Sequence, residues 1–131
     1  MAKKMDELYY IVAGDEMQKL MRAKFPDRKT VPFREDFSKG ERIGFAFDAA
    51  LVENRAKFWG VTPSEYLEKM SPMIHLDFTK SYVLCFGDDA CCQANLAFTL
   101  GYLKNQGYAQ RIQVQIVNEY NLDLQKEYFV E

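Results

Sequence analysis

The chain has no run of about 20 apolar residues, so no segment of it reads as a membrane-spanning helix. Cysteine is scarce. Cys85, Cys91 and Cys92 are the only three in 131 residues, an odd number with two adjacent, which is not a disulfide framework and suits a reducing cytoplasm. Histidine occurs once, at His75, so there is no second imidazole for a zinc site, and any His-dependent mechanism must use that residue. No Gly-x-Gly-x-x-Gly and no Walker sequence is present, which leaves nucleotide binding without a motif. A surplus of one charge is lacking too: 17 Lys and Arg stand against 19 Asp and Glu, a net −2. Global electrostatics therefore gives no case for a nucleic-acid partner. The opening seven residues are polar and lack the apolar stretch of a secretion signal. Together these absences exclude membrane, secreted, fibrous and disordered classes and lead us to expect a cytoplasmic protein.

What is present is an ordinary core. Hydrophobic residues make up 48% of the chain and aromatics 15%, and the length is that of one domain, taken as residues 1–131. Leu8 to Ala13 is a near-continuous apolar run ending at Gly14-Asp15, the pattern of a parallel strand covered on both faces. Met17, Leu20, Met21 and Phe25 then recur at helical spacing, predicting a helix from about Asp15 to Lys24 closed by Pro26. Thr30 to Phe33 reads as a short strand, and Pro32 puts it at an edge or ends it there. A polar loop, Arg34 to Gly40, leads to a helix from about Phe47 that Gly60 stops. Thr62-Pro63-Ser64-Glu65 carries a capping-box signature for a short helix to about Met70, ended before Pro72.

The pattern then repeats. Tyr82 to Phe86 is a second buried strand ending in Gly87-Asp88, followed by helical periodicity from Ala90 to Gln106. Ile112, Val114 and Ile116 alternate with Gln113 and Gln115 in a half-exposed strand from about Arg111 to Val117. Residues 119–131 form a C-terminal tail that is either an edge strand or a docking arm. Two strand–Gly-Asp–helix–strand units make parallel neighbours with right-handed crossovers. The expectation is a single α/β domain with a small, mostly parallel sheet of four to five strands and helices on its faces. In such sheets the ligand crevice lies at the carboxyl edge, where strand order reverses. Gly14, Asp15, Gly87, Asp88 and Asp89 should therefore fall near one another.

Four motifs in this order resemble those of the domain-of-unknown-function family numbered 1835, over about Leu8 to Asn118. They are the strand with Gly14-Asp15; Pro32 followed by Asp36-Phe37-Ser38-Lys39-Gly40; Arg55 with Phe58-Trp59; and Phe86-Gly87 leading to Gln93 and Leu96. Departures fall at Glu16, where the family usually has a small hydroxyl residue, at Glu41, where it has Pro, and near Cys85, where it has Trp. The resemblance implies an α/β fold with clustered polar motifs and no established reaction.

Each candidate group has a structural and a functional reading. Asp15, Asp88 and Asp89 would together suit a divalent cation, which favours oxygen ligands, but an Asp between a strand and a helix is more commonly an N-cap. Arg34 and Lys39, beside Asp36 and Ser38, would hold a carboxylate or phosphate through their donors; otherwise this is a solvated loop with an Asx-turn at Asp36. Between Lys19 and Arg42 eight basic residues outnumber four acidic ones. Arg55 and Trp59, four apart on one helical face, read as a core Trp with the Arg stacked beside it. His75 sits in an apolar stretch, as a packed or capping residue. Cys91 and Cys92 lie in a first helical turn, which favours a thiolate, while Asp88 and Asp89 oppose it. Gln93 and Asn95 would orient a ligand.

The leading expectation is a small polar or anionic ligand bound at the carboxyl edge by Gly14, Asp15, Arg34, Asp36, Ser38, Arg55, Gly87, Asp88 and Gln93. A non-catalytic protein–protein interaction module, with a homodimer among its forms, is the alternative. A metal-dependent phosphoester or nucleotide-processing enzyme is weaker, because no general base with a partner is visible. No catalytic group, metal-ligand set or cofactor is assigned.

Overall fold

Five extended runs pair into one sheet, described here in a computed structural model covering residues 8–130; the polar opening segment lies outside the described residues. In chain order the elements are β1 (Leu8–Val12), α1 (Gly14–Lys24), β2 (Lys29–Pro32), α2 (Ala49–Trp59), α3 (Pro63–Ile74), β3 (Ser81–Phe86), α4 (Ala90–Asn105), β4 (Ile112–Val117) and β5 (Leu124–Val130). The sheet order is β2-β1-β3-β4-β5. The first four strands run parallel, and β5 lies antiparallel to β4. The expected α/β architecture, with its two β-Gly-Asp-α-β units side by side, is the one observed.

Successive strand residues point to opposite faces, so the central strands supply two cores. Ile11, Leu84, Phe86 and Val114 pack with Leu51, Met70 and Leu96 from α2, α3 and α4. Tyr10, Val12, Val83 and Cys85 pack beneath Met17 and Met21 of α1. β3, covered on both sides, is buried at all six positions. β2 is an edge strand that ends at Pro32, as its missing N–H requires.

Two boundaries depart from expectation. α2 begins two residues later than its periodicity suggests, because Ala46 and Phe47 adopt left-handed φ of 53° and 59° and Asp48 caps the helix by accepting from the Leu51 amide. α3 continues through Pro72 to Ile74. The proline forfeits one backbone bond, but Met70 and Met73 stay fully buried and the Tyr102 hydroxyl donates to the Met73 carbonyl at 3.0 Å, which holds the last turn in place. The C-terminal tail, left open between two forms, turns at residues 118–123 and returns as the edge strand β5.

Candidate functional site

β2 is laid on one side of β1 and β3 on the other, so strand order reverses between β1 and β3. Their register pairs Val12 with Cys85, and both strands end in glycine on the same rim. Gly14 has φ +90°, a conformation that a side chain would strain. At the second corner Gly87 is buried, and its carbonyl accepts from the Gln93 amide group at 2.9 Å.

The loop after β2 closes over this rim, and its shape comes from one buried carboxylate. Glu35 accepts from Arg55 Nε (3.0 Å) and Nη2 (2.9 Å), Trp59 Nε1 (2.7 Å), the Tyr66 hydroxyl (2.6 Å) and the Asp36 amide (2.8 Å). Burial pushes the Glu35 carboxyl up, but these donors outweigh it and hold the acid below its ordinary range. Burial and the adjacent carboxylate push the Tyr66 phenol upward. Arg55 also donates from Nη1 to the carbonyls of Lys39 and Glu41 and from Nη2 to that of Asp36. All five of its N–H groups are thus engaged. Asn95 of α4 completes the clamp, donating to the Glu35 carbonyl at 2.7 Å and accepting from the Phe37 amide at 3.0 Å.

This arrangement reverses one expectation. Arg55 is 0% exposed and forms part of the core, whereas Trp59 is 36% exposed at the surface. The loop carbonyls need donors, and a guanidinium supplies five of them where an indole supplies one. Arg55 therefore has no donor left for a ligand and acts only by positioning the loop. Glu35, the centre of the network, escapes sequence reasoning: an acid in a polar loop looks solvated until its partners from α2 and α3 are known.

The remaining predicted residues fall as follows. Arg34 Nε donates to Asp15 at 2.9 Å, and Asp15 does not cap α1, whose N-cap Ala13 has no side-chain acceptor. Asp36 forms the expected Asx-turn, accepting from the Ser38 amide at 3.0 Å and from its hydroxyl, with Lys39 Nζ at 3.8 Å. Asp89 is the N-cap of α4, and Asp88 is exposed. Among the described residues no three His, Cys, Asp or Glu side chains converge as a metal site. Asp15 is paired with Arg34 and Asp89 with the helix, so the three aspartates do not act as one cluster. His75 occupies the α3 C-cap but is exposed, not packed. Burial, with Asp36 and Asp89 adding to it, pushes the Cys91 thiol up to about 11. Burial and Asp89 push Cys92 up to about 12. Neither is a thiolate nucleophile near neutral pH.

Between the rim and the loop lies a cavity of about 310 Å³, with Gly14, Arg34, Asp36, Trp59, Lys69 and Cys91 in its wall. It meets a larger crevice of about 640 Å³ that runs along α1 past Lys19 and Tyr120, the two sharing Ala13, Cys92 and Glu119. Gly87, Asp88 and Asp89 border a smaller recess on the same rim. Arg34 Nε is engaged, whereas its Nη groups meet no protein acceptor among the described residues. Among the described residues no helix is long and apolar enough to cross a membrane. No family model, curated protein or solved structure matches the chain.

Proposed function

We propose that this domain binds a small anionic ligand in the crevice at the carboxyl edge of β1 and β3. The observation that carries the reading is Arg34, whose Nη donors are unclaimed at the wall of a cavity bounded by the Gly14 corner. A guanidinium offers a planar fork to a carboxylate or phosphate, and Lys69 adds a second positive charge on the same wall. Asp36 and Ser38 keep the loop in register, while Arg55, Glu35 and Asn95 hold it from behind. Membership of the family numbered 1835 is part of the proposal; its support is that all four motifs meet at or behind one rim. Three free cysteines suit a cytoplasmic setting.

Native mass spectrometry of protein taken from cells tests the reading, because it reports a retained small molecule and the subunit count together. Arg34→Ala should remove that adduct with the melting temperature nearly unchanged. A large loss of stability without an adduct in the parent protein would make Arg34 a structural ion-pair member only. A second reading, as an interaction module, is favoured by Phe58, Trp59 and Val61, which stand exposed around the α2–α3 turn. A subunit count above one that Trp59→Lys reduces to one would support it.

A further inference from the structure

The face of the sheet that carries α1 holds a second polar feature, in a cleft further along α1 than the rim crevice. The last described element enters the sheet as β5, so among the described residues α1 is the only helix covering this face, with the β4–β5 pair beside it. Gln113 and Gln115 are half-buried there, and Leu124 is 55% exposed. A cleft of about 250 Å³ opens between the C-terminal half of α1 and this pair, with Met21, Phe25, Arg28, Gln115, Leu122 and Leu124 in its wall.

Among the described residues Arg28 is the only cation in that wall. Its guanidinium is wedged between the rings of Phe25 (3.8 Å to the centroid) and Tyr10 (4.5 Å). Nη1 reaches only the Met21 sulfur, at 3.4 Å, and the buried Nε has no hydrogen-bond partner. No carboxylate among the described residues forms an ion pair with it. The acid in the cleft wall, Asp123, is instead drawn to Lys24 at 3.7 Å, and Lys24 also donates to the Asn121 carbonyl at 2.7 Å. A partly desolvated guanidinium normally finds an anion, because its charge makes a bare site costly. The rings fix its plane, which lowers the ordering cost of a bidentate contact.

We propose that this cleft is a ligand site for a short-chain carboxylate, with the acid group on Arg28 and the apolar tail against Phe25, Leu122 and Leu124. The volume corresponds to roughly eight water-sized units of about 30 Å³, close to the number of non-hydrogen atoms in hexanoate. The tail would cover the exposed Leu124 side chain, and Gln115, whose amide group donates to Glu127 at 2.9 Å, lies on the same wall. The cleft shares no lining residue with the Arg34 cavity or the crevice along α1, and only Val117 with the smaller rim recess, so the two sites are told apart by which lining residues respond.

The test is a titration of the ¹⁵N-labelled full chain with sodium hexanoate and, separately, with 1-hexanol, followed by amide chemical shifts. Hexanoate should move Arg28, Gln115 and Leu122 to Leu124 saturably, with 1-hexanol at least tenfold weaker, as expected for loss of one charge-assisted contact. Arg28→Gln should weaken hexanoate by a similar factor, and Arg28→Lys should keep part of the affinity. Equal binding of the alcohol and the acid would overturn the proposal, since the site would then be merely apolar. Saturable shifts confined to Arg34 and Cys91 would overturn it as well while supporting the rim reading. So would the absence of saturable shifts at the cleft. Because the acid–alcohol pair is compared on the unaltered chain, the result does not depend on the variants folding.

Discussion

Arg55, fully buried, and Arg28, half-buried, both lie beside aromatic rings, yet they differ in everything a guanidinium needs. Arg55 has five acceptors for five donors and a buried carboxylate facing it. Arg28 has two rings, one sulfur and no anion among the described residues. A fully satisfied charge is architecture: removing it unpicks the loop that it holds. A charge with donors to spare is a place where something else can attach. Arg34 lies between the two, with one N–H on Asp15 and the others unclaimed.

The sharpest way to break this contrast is to truncate each arginine in turn. Arg55→Ala leaves Glu35 buried without its counter-charge, and the expected loss is about 3–5 kcal/mol in urea unfolding. Arg28→Gln forfeits ring stacking and one weak contact to sulfur and should cost about 1 kcal/mol. Equal costs would erase the distinction. A refinement is to change Glu35 and Arg55 together to apolar residues of similar volume. The double variant should be more stable than Arg55→Ala alone, since no buried charge is left uncompensated.

Acid should separate the regions next. Glu35 has a folded pKa below its ordinary 4.5, so its network contributes fully above that value and is lost as pH falls through the folded pKa. Urea midpoints measured downward from pH 6 should fall once the ordinary carboxylate range is passed. Glu35→Gln should start from a lower midpoint and lose less over the same interval. A parallel decline in both proteins would place the acid sensitivity elsewhere. Smaller still, Asp48→Ala removes the α2 cap and should cost about 1 kcal/mol in the same assay. The smallest effect belongs to Arg34→Ala. Its pair with Asp15 is half-exposed, and stability should change by less than about 1 kcal/mol while retention of a rim ligand is lost.

The elements and their order are legible in the residues because burial is written in period. Leu8 to Ala13 and Tyr82 to Phe86 are apolar throughout, and Ile112 to Val117 alternates, which distinguishes doubly covered strands from a half-covered one. The shared rim follows from two Gly-Asp corners and a right-handed crossover. The loop's interior does not. Glu35 looks like any solvated acid, and only Arg55, Trp59 and Tyr66, brought in from two helices, make it a buried one. Trp59 reads as core by hydrophobicity, but hydrogen-bond demand decides in favour of the arginine one turn earlier. Pro72 reads as a stop because a local rule takes no account of buried methionines on either side of it. The Arg28 cleft is equally silent in the sequence, since it depends on where β5 goes, and alternation alone leaves the tail undecided between strand and arm.

Placing β1 beside β3 has a consequence for how the molecule assembles. The chain reaches β3 only after β2, α2 and α3 have been made, so the two walls of the rim are joined late and by a long-range pairing. No N-terminal fragment ending before residue 81 contains both glycine corners. A nascent chain released at that length would hold Arg34 and its loop without the α4 asparagine that fastens them. On the proposed reading, the rim could take a ligand only once β3 and α4 are in place, and a bound ligand would favour the completed domain over every shorter intermediate.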